Sequence, residues 1–270
     1  MERQLLDENI LKLIRPRKED SSKGDFGTLL TLCGSKNMTG AAYFSAMGAL
    51  RSGVGLLRFC GNDETLDKIQ QILFEPTFLT LDGIKSTKYN AFLCGCGIGR
   101  TYDAYLEELL TDCKAPCVLD ADCINFLAEH IDVLGRISCP KVLTPHPGEM
   151  ARLCKTDVDE IQSNRESVTA DFAIKHKCLL VLKGKNTVIA DENGNIFINQ
   201  SGSSALAKGG SGDVLAGVIA SLIAQGYDPI DAARLGVFVH GAAADNLALL
   251  YGKSGVLPSD LPKEIGRILG

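Results

Sequence analysis

Lys208-Gly209-Gly210-Ser211-Gly212-Asp213 packs three glycines, a serine and a carboxylate into six residues. Directly after it, Val214, Leu215, Val218, Ile219, Leu222 and Ile223 recur at helical spacing. A glycine-rich loop feeding a helix start leaves several backbone N–H groups unpaired at the positive end of the helix dipole, which is a place to hold phosphate. Asp213 is the odd member, because a carboxylate repels phosphate unless it takes a proton as the phosphate arrives. The combination suggests a base that activates a hydroxyl for attack on phosphorus. The competing account makes Asp213 an ordinary acidic residue in a first helical turn, favourable to the dipole and nothing more. The loop alone does not choose between them.

The elements that must position this loop begin at Gly27. Thr28 to Cys33 is apolar without alternation, as a strand covered on both faces should be, and stops at Gly34-Ser35. Thr39 is a candidate N-cap for a helix of small residues, Gly40 to Leu50, closed by Gly53, and a strand returns over Gly55 to Cys60. Such a strand–helix–strand unit is a right-handed crossover. Its small residues admit either close approach of a ligand to the backbone or tight packing. Further strands are expected at 91–94, 117–120, 141–144 and 179–182. They end in Gly95-Cys96-Gly97-Ile98-Gly99, Asp120-Ala121-Asp122, Pro145-His146-Pro147-Gly148-Glu149 and Lys183-Gly184-Lys185-Asn186-Thr187. The first of these lacks the spacing of a dinucleotide fingerprint and reads as a strand end opening into a crevice. His146, between two prolines, has little freedom, and Asp122 has a helix cap as its alternative role.

Elsewhere, residues 1–26 read as polar with a short amphipathic piece (Leu5, Ile10, Leu11, Leu13, Ile14), 62–73 as a helix and 74–90 as irregular. His176 reads as an exposed helix residue. Asn193-Gly194 signals a hairpin between 187–190 and 195–199. A long helix over 229–250 carries His240 and Asp245, and a short one over 262–269 follows. No repeat or linker divides the chain. Residues 1–270 therefore read as one α/β domain: a doubly wound, mostly parallel sheet with an antiparallel hairpin near one edge. In that arrangement the ends at Gly34, Gly95, Asp120, His146 and Lys183 and the loop before Asp213 open on one rim.

Composition narrows the partners. With a net charge of −5 and no basic cluster, nucleic acid is not expected. No run approaches the roughly 20 apolar residues of a membrane span, and the charged start lacks a secretory core. The ten cysteines are scattered through apolar runs without zinc-ligand spacing, so they read as buried reduced thiols of a cytoplasmic protein.

Several stretches occur together in a characteristic order: Gly40-Ala41-Ala42, Gly95-Cys96-Gly97, Val118 to Asp122, Leu143-Thr144-Pro145-His146-Pro147-Gly148-Glu149, Leu182-Lys183-Gly184 with Thr187, and Ala207 to Asp213. From about residue 20 to the end, the chain resembles the NAD(P)H-hydrate dehydratases, a branch of the ribokinase-like superfamily. The resemblance implies repair of hydrated nicotinamide cofactors, (6S)-NADHX and (6S)-NADPHX, with ADP or ATP as co-substrate. A C6 hydroxyl becomes a phosphate ester, and its elimination restores the ring double bond. Carried over residue by residue, Asp213 would be the base, and the N–H groups of Gly210, Ser211 and Gly212 would stabilise the transferring phosphoryl. Lys183, Gly184, Lys185, Asn186, Thr187 and Gly212 would bind the adenine nucleotide, and Ala41, Gly97, His146 and Asp213 the hydrated dinucleotide. Glu149 would organise Mg2+ through water. The resemblance also implies a homotetramer and, with about 25 residues ahead of the first strand, no fused epimerase domain. A vitamin or sugar kinase on the same scaffold, which would keep the phosphate ester, and a nucleotide-binding regulator without catalysis are the alternatives.

Overall fold

The structure, a computed structural model, describes residues 2–270. Ten strands make one sheet: β1 (Arg3–Leu6), β2 (Thr28–Leu32), β3 (Leu56–Gly61), β4 (Thr77–Thr80), β5 (Ala91–Cys94), β6 (Cys117–Leu119), β7 (Lys141–Leu143), β8 (Leu179–Leu182), β9 (Thr187–Ala190) and β10 (Ile196–Asn199). Their spatial order is β1-β10-β9-β8-β7-β6-β5-β2-β3-β4. Every neighbouring pair from β8 across to β4 is parallel. The β9–β10 pair is antiparallel, as the Asn193-Gly194 turn predicts, and the β8–β9 pair is antiparallel as well.

Alternate residues of one strand serve opposite faces. Leu29 packs under the helices Thr39–Arg51, Ser211–Ala224 and Pro229–Tyr251, while Leu30 faces the helices Asp103–Thr111, Asp122–Glu129 and Arg165–His176. Two covered faces explain the unbroken apolar strands. From β2 the chain runs outward one way to β3 and β4, and the other way through β5 to β8. The reversal places the topological switch point, where such sheets open a crevice, between β2 and β5. There Gly34 N–H donates to Cys96 O at 2.7 Å and Ser35 Oγ to Gly97 O at 2.9 Å.

The edges depart from expectation. The leading segment holds β1, which pairs with β10 in parallel, followed by a 3-10 helix at Glu8–Leu13. The stretch 74–90 holds β4, which closes the other edge beside β3. The helix expected over 62–73 is confined to Asp63–Ile69, with Asn62 as its cap. Thr39 is the first helical residue rather than the cap, which is Met38. His176 is half-buried and stacks on Phe172, ring centroids 4.3 Å apart. Among the described residues no helix is long and apolar enough to cross a membrane.

Both accounts of the small-residue helix hold, in different halves. At its far end a Cβ on Gly48 would lie 2.4 Å from Val214 O, and one on Gly217 2.0 Å from Ser45 O. Two helix backbones therefore touch, which seats the glycine-loop helix against the sheet. At its near end Ala41 meets the switch point: a Cβ on Gly97 would lie 2.6 Å from Ala41 Cβ. Gly217→Ala should lower stability by about 3 kcal/mol, because backbone and not a pliable side chain must give way. Gly135→Ala, which meets nothing within 4 Å, should be neutral or slightly stabilising. Urea unfolding of the two variants checks this; equal midpoints would contradict the close packing.

Candidate active site

Gly210 turns the chain into the helix Ser211–Ala224 at φ +104°, and a Cβ there would strike the Phe44 ring at 2.6 Å, so only glycine fits. Among the described residues the N–H groups of Gly210, Gly212 and Asp213 have no partner, whereas that of Ser211 donates to Lys208 O at 3.2 Å. The expected cradle is therefore present with one amide already engaged. The Ser211 carbonyl is held from behind by His240, whose Nε2 lies 3.0 Å away. Since a carbonyl only accepts, that nitrogen carries the proton. Burial pushes His240 down to about 4, and it stays neutral.

Asp213 projects from the first turn into a group whose other members end β5 and β6. Its carboxylate, the Cys96 thiol and the Asp120 carboxylate all lie within 4.8 Å of one another. Burial first, then repulsion by Asp120, pushes Asp213 up to about 7, while Lys183 and the adjacent Cys96 thiol pull the other way, the thiol itself donating to Asp120 Oδ2 at 3.7 Å. A carboxylate titrating near neutrality suits a general base. Asp120 is itself buried and fully engaged: Lys183 Nζ lies 2.6 Å from its Oδ1, and Thr144 Oγ1 donates to the same oxygen at 2.8 Å. Burial opposes the charge on Lys183, but Asp120 and Glu149 outweigh it and hold the ammonium above its usual pKa. A Cβ on Gly212 would lie 3.3 Å from this Nζ, so the ammonium abuts the amide cradle.

His146 proves to be the N-cap of the helix Pro147–Cys154. Its Nδ1 accepts from the N–H of Gly148 at 2.9 Å and of Glu149 at 3.3 Å, and Glu149 Oε2 accepts from His146 N–H at 2.7 Å. This capping box fixes the tautomer with its proton on Nε2. Burial, then the charges of Lys183 and Arg152, lower its pKa, so a neutral ring offers an N–H donor on its half-exposed side. Burial pushes Glu149 up to about 6, against the pull of Lys183. Its Oε2 is taken by the cap, and its Oε1, 3.4 Å from His146 Nε2, is the oxygen that can also receive water. For a hard ion that keeps its hydration shell, this oxygen fits as an indirect ligand. The Cys96, Asp120 and Asp213 trio fits Mg2+ poorly, because one donor is a thiol and Lys183 already supplies the local cation.

A cavity of about 850 Å3 opens beside these groups, lined by His146, Lys183 to Thr187 and Lys208 to Asp213. Lys183 lines it with its ammonium turned onto Asp120. Ala41 and Gly97 do not line it; they meet each other at the switch point, next to Cys96. Asp122 is not the cap of its helix: Ala121 takes that place at φ +50°, and the Asp122 carboxylate accepts from Gly99 N–H at 2.8 Å. Three contributors escape the sequence. The loop from Asn199 to Ser204 and Lys253 both line the cavity. His240 sits on a long apolar helix where it reads as core. A weak signal existed in Gly241, whose Cβ would strike Ser201 Oγ at 2.2 Å, marking the approach of that loop to the helix.

The family model for NAD(P)H-hydrate dehydratase matches residues 29–267. An ADP-dependent (S)-NAD(P)H-hydrate dehydratase of Neisseria meningitidis is 39% identical over 240 residues, 86% of this chain and 81% of that one. A bifunctional NAD(P)H-hydrate repair enzyme of Moorella thermoacetica is 38% identical over 91% of this chain, which spans only 50% of that larger protein. Among solved structures, the ADP/ATP-dependent NAD(P)H-hydrate dehydratase of Bacillus subtilis, crystallised with ATP and Mg2+, superposes with a TM-score of 0.86 at 31% identity, covering 97% of this chain and 95% of that one. With the glycine loop, the capped histidine and the tuned carboxylate in place, a match of this extent is decisive: the chain belongs to the NAD(P)H-hydrate dehydratase family.

Proposed function

We propose that this protein dehydrates (6S)-NADHX and (6S)-NADPHX to NADH and NADPH, spending ADP or ATP and releasing AMP or ADP with phosphate. The observation that carries the reading is a carboxylate held near neutrality beside unpaired main-chain amides at the mouth of a nucleotide-sized cavity. Asp213 takes the proton of the C6 hydroxyl as its oxygen bonds to the terminal phosphorus of the nucleotide. Negative charge growing on the phosphoryl oxygens meets the N–H groups of Gly210 and Gly212, with the Lys183 ammonium behind them. The bond from phosphorus to the leaving nucleotide breaks, which leaves a C6 phosphate ester. The ring nitrogen's lone pair then expels phosphate, a far better leaving group than hydroxide, and loss of the C5 proton restores the double bond.

In this reading Lys183 to Thr187 hold the adenine nucleotide, and Ala41, Gly97 and the Nε2 proton of His146 orient the hydrated ring. Mg2+, when bound, neutralises phosphate charge; Glu149 would hold it through water. Placement as a cytoplasmic homotetramer accords with ten free cysteines, all but Cys154 buried, and with the exposed apolar run Leu249-Leu250-Tyr251. Light scattering at micromolar concentration checks the assembly, a monomer counting against it. The test of function adds NADPHX with ADP or with ATP and follows recovery of reduced-nicotinamide absorbance. Recovery with release of phosphate supports the dehydratase. A stable phosphorylated product would instead mark a kinase, and nucleotide binding without turnover a regulator.

A further inference from the structure

Behind the loop Lys183 to Thr187 stands a cation that the chemistry above does not use. Arg165, the first residue of the helix Arg165–His176, turns its guanidinium onto the end of β8. Its Nη2 donates to Leu182 O at 2.9 Å and to Lys183 O at 3.3 Å, and its Nη1 to Gln162 Oε1 at 3.1 Å. The loop lies close against it: Gly184 turns at φ +132°, and a Cβ there would lie 3.3 Å from Nη1. Arg165 does not line the large cavity. It lines a smaller one, of about 200 Å3, and the loop residues Lys185 and Asn186 are common to both.

This placement costs stability. The guanidinium is half-buried, burial lowers its pKa, and its Nε is buried without a partner among the described residues. No carboxylate among those residues pairs with it, and the adjacent Glu166 is taken by Arg3. A cation in the first turn also opposes the helix dipole. What the position gains is the two carbonyls. The peptide unit that carries Lys183 O also carries the Gly184 N–H, which has no partner among the described residues. A cation on the oxygen polarises that peptide and makes its N–H a stronger donor. The preceding N–H, that of Lys183, donates to Pro145 O at 2.8 Å, so the strand end is held from two sides.

We propose that Arg165 is a positioning residue for the nucleotide: it fixes the end of β8 and, through the Lys183 peptide, strengthens the Gly184 N–H as a donor to a nucleotide phosphate. The inference rests on the reading of Lys183 to Thr187 as the nucleotide loop. Arg165 touches neither substrate and moves no proton. Its charge reaches the phosphates through a peptide, beside the Lys183 ammonium that abuts Gly212.

Calorimetry of ADP binding to the full chain, with Arg165→Ala and Arg165→Lys beside the parent, tests this. In Arg165→Ala the Kd for ADP should rise about ten-fold or more, as loss of charge-assisted hydrogen bonds predicts. Arg165→Lys keeps the charge and a single donor and should lose only about three-fold, which preserves the comparison if the alanine variant folds poorly. Adenosine, which has no phosphate, should inhibit parent and variants alike. In steady state the KM for ADP should rise in step, with the KM for NADPHX within about two-fold of the parent. An unchanged Kd for ADP, or an equal penalty on adenosine or on NADPHX, would mark Arg165 as a structural residue and overturn the proposal. A parent whose ADP binding depends on Arg165 yet which fails to convert NADPHX would sink the dehydratase reading and leave this inference; active turnover indifferent to Arg165 would do the reverse.

Discussion

Asp213→Asn should cut kcat for NADPHX dehydration by about 10^3-fold, within the range that removal of a positioned general base produces, while the affinity for ADP stays within a few-fold. The amide keeps the shape of the first helical turn and the unpaired N–H groups behind it, but it accepts no proton. The same substitution should stabilise the fold at alkaline pH. Asp213 titrates at about 7 in the folded chain, against an ordinary 3.8. Between those values the folded state binds the extra proton, so stability falls as pH rises from about 4 to about 7, and the penalty is complete above that. Three pKa units set an upper bound of about 4 kcal/mol. Thermal melts at pH 4 and pH 8 check it: parent and variant should coincide at the lower pH, with the variant the more stable at the higher. A variant that is inactive and destabilised at both would instead mark Asp213 as a structural residue.

Lys183→Met should have the largest effect on stability. The Asp120 carboxylate is 1% exposed and sits 2.6 Å from the ammonium; deleting the cation strands a buried charge, at a cost of about 3–5 kcal/mol. Thr144 still donates one hydrogen bond, which does not replace a counter-charge. Asp213 also loses the cation that opposes its upward shift, so activity at neutral pH should fall and partly return as pH is raised. Lys183→Met combined with Asp120→Asn removes both charges together and should recover most of the lost stability. Urea unfolding of the two single variants and the double variant measures the coupling. Additive losses would contradict the ion pair.

The sequence made the covered strands easy to find and the edges hard, for one physical reason. Leu29, Leu30, Phe92 and Leu93 are buried on both faces of the sheet and form unbroken apolar runs. β1 buries only Leu6 and β4 buries none of its four residues, so neither carries an alternation to detect. At the site, Asp213 and Gly210 are legible because a phosphate cradle demands a particular local order of residues. His146 is legible as special, but its cap role needed a closer look at Pro147 and Glu149, which follow it as the first and third helical residues of a capping box. Cys96 and His240 act only through the tertiary placement of β5 and of the helix Pro229–Tyr251, and nothing local marks them.

The central claim is that one carboxylate, tuned to neutrality, draws the proton from an alcohol as phosphorus bonds to it. The pH dependence of kcat/KM for NADPHX, at saturating ADP, tests this most directly. The account predicts an acid limb with its midpoint at about 7, absent from the residual activity of Asp213→Asn. An acid limb near pH 4, or one that survives unchanged in Asp213→Asn, would show that another group takes the proton.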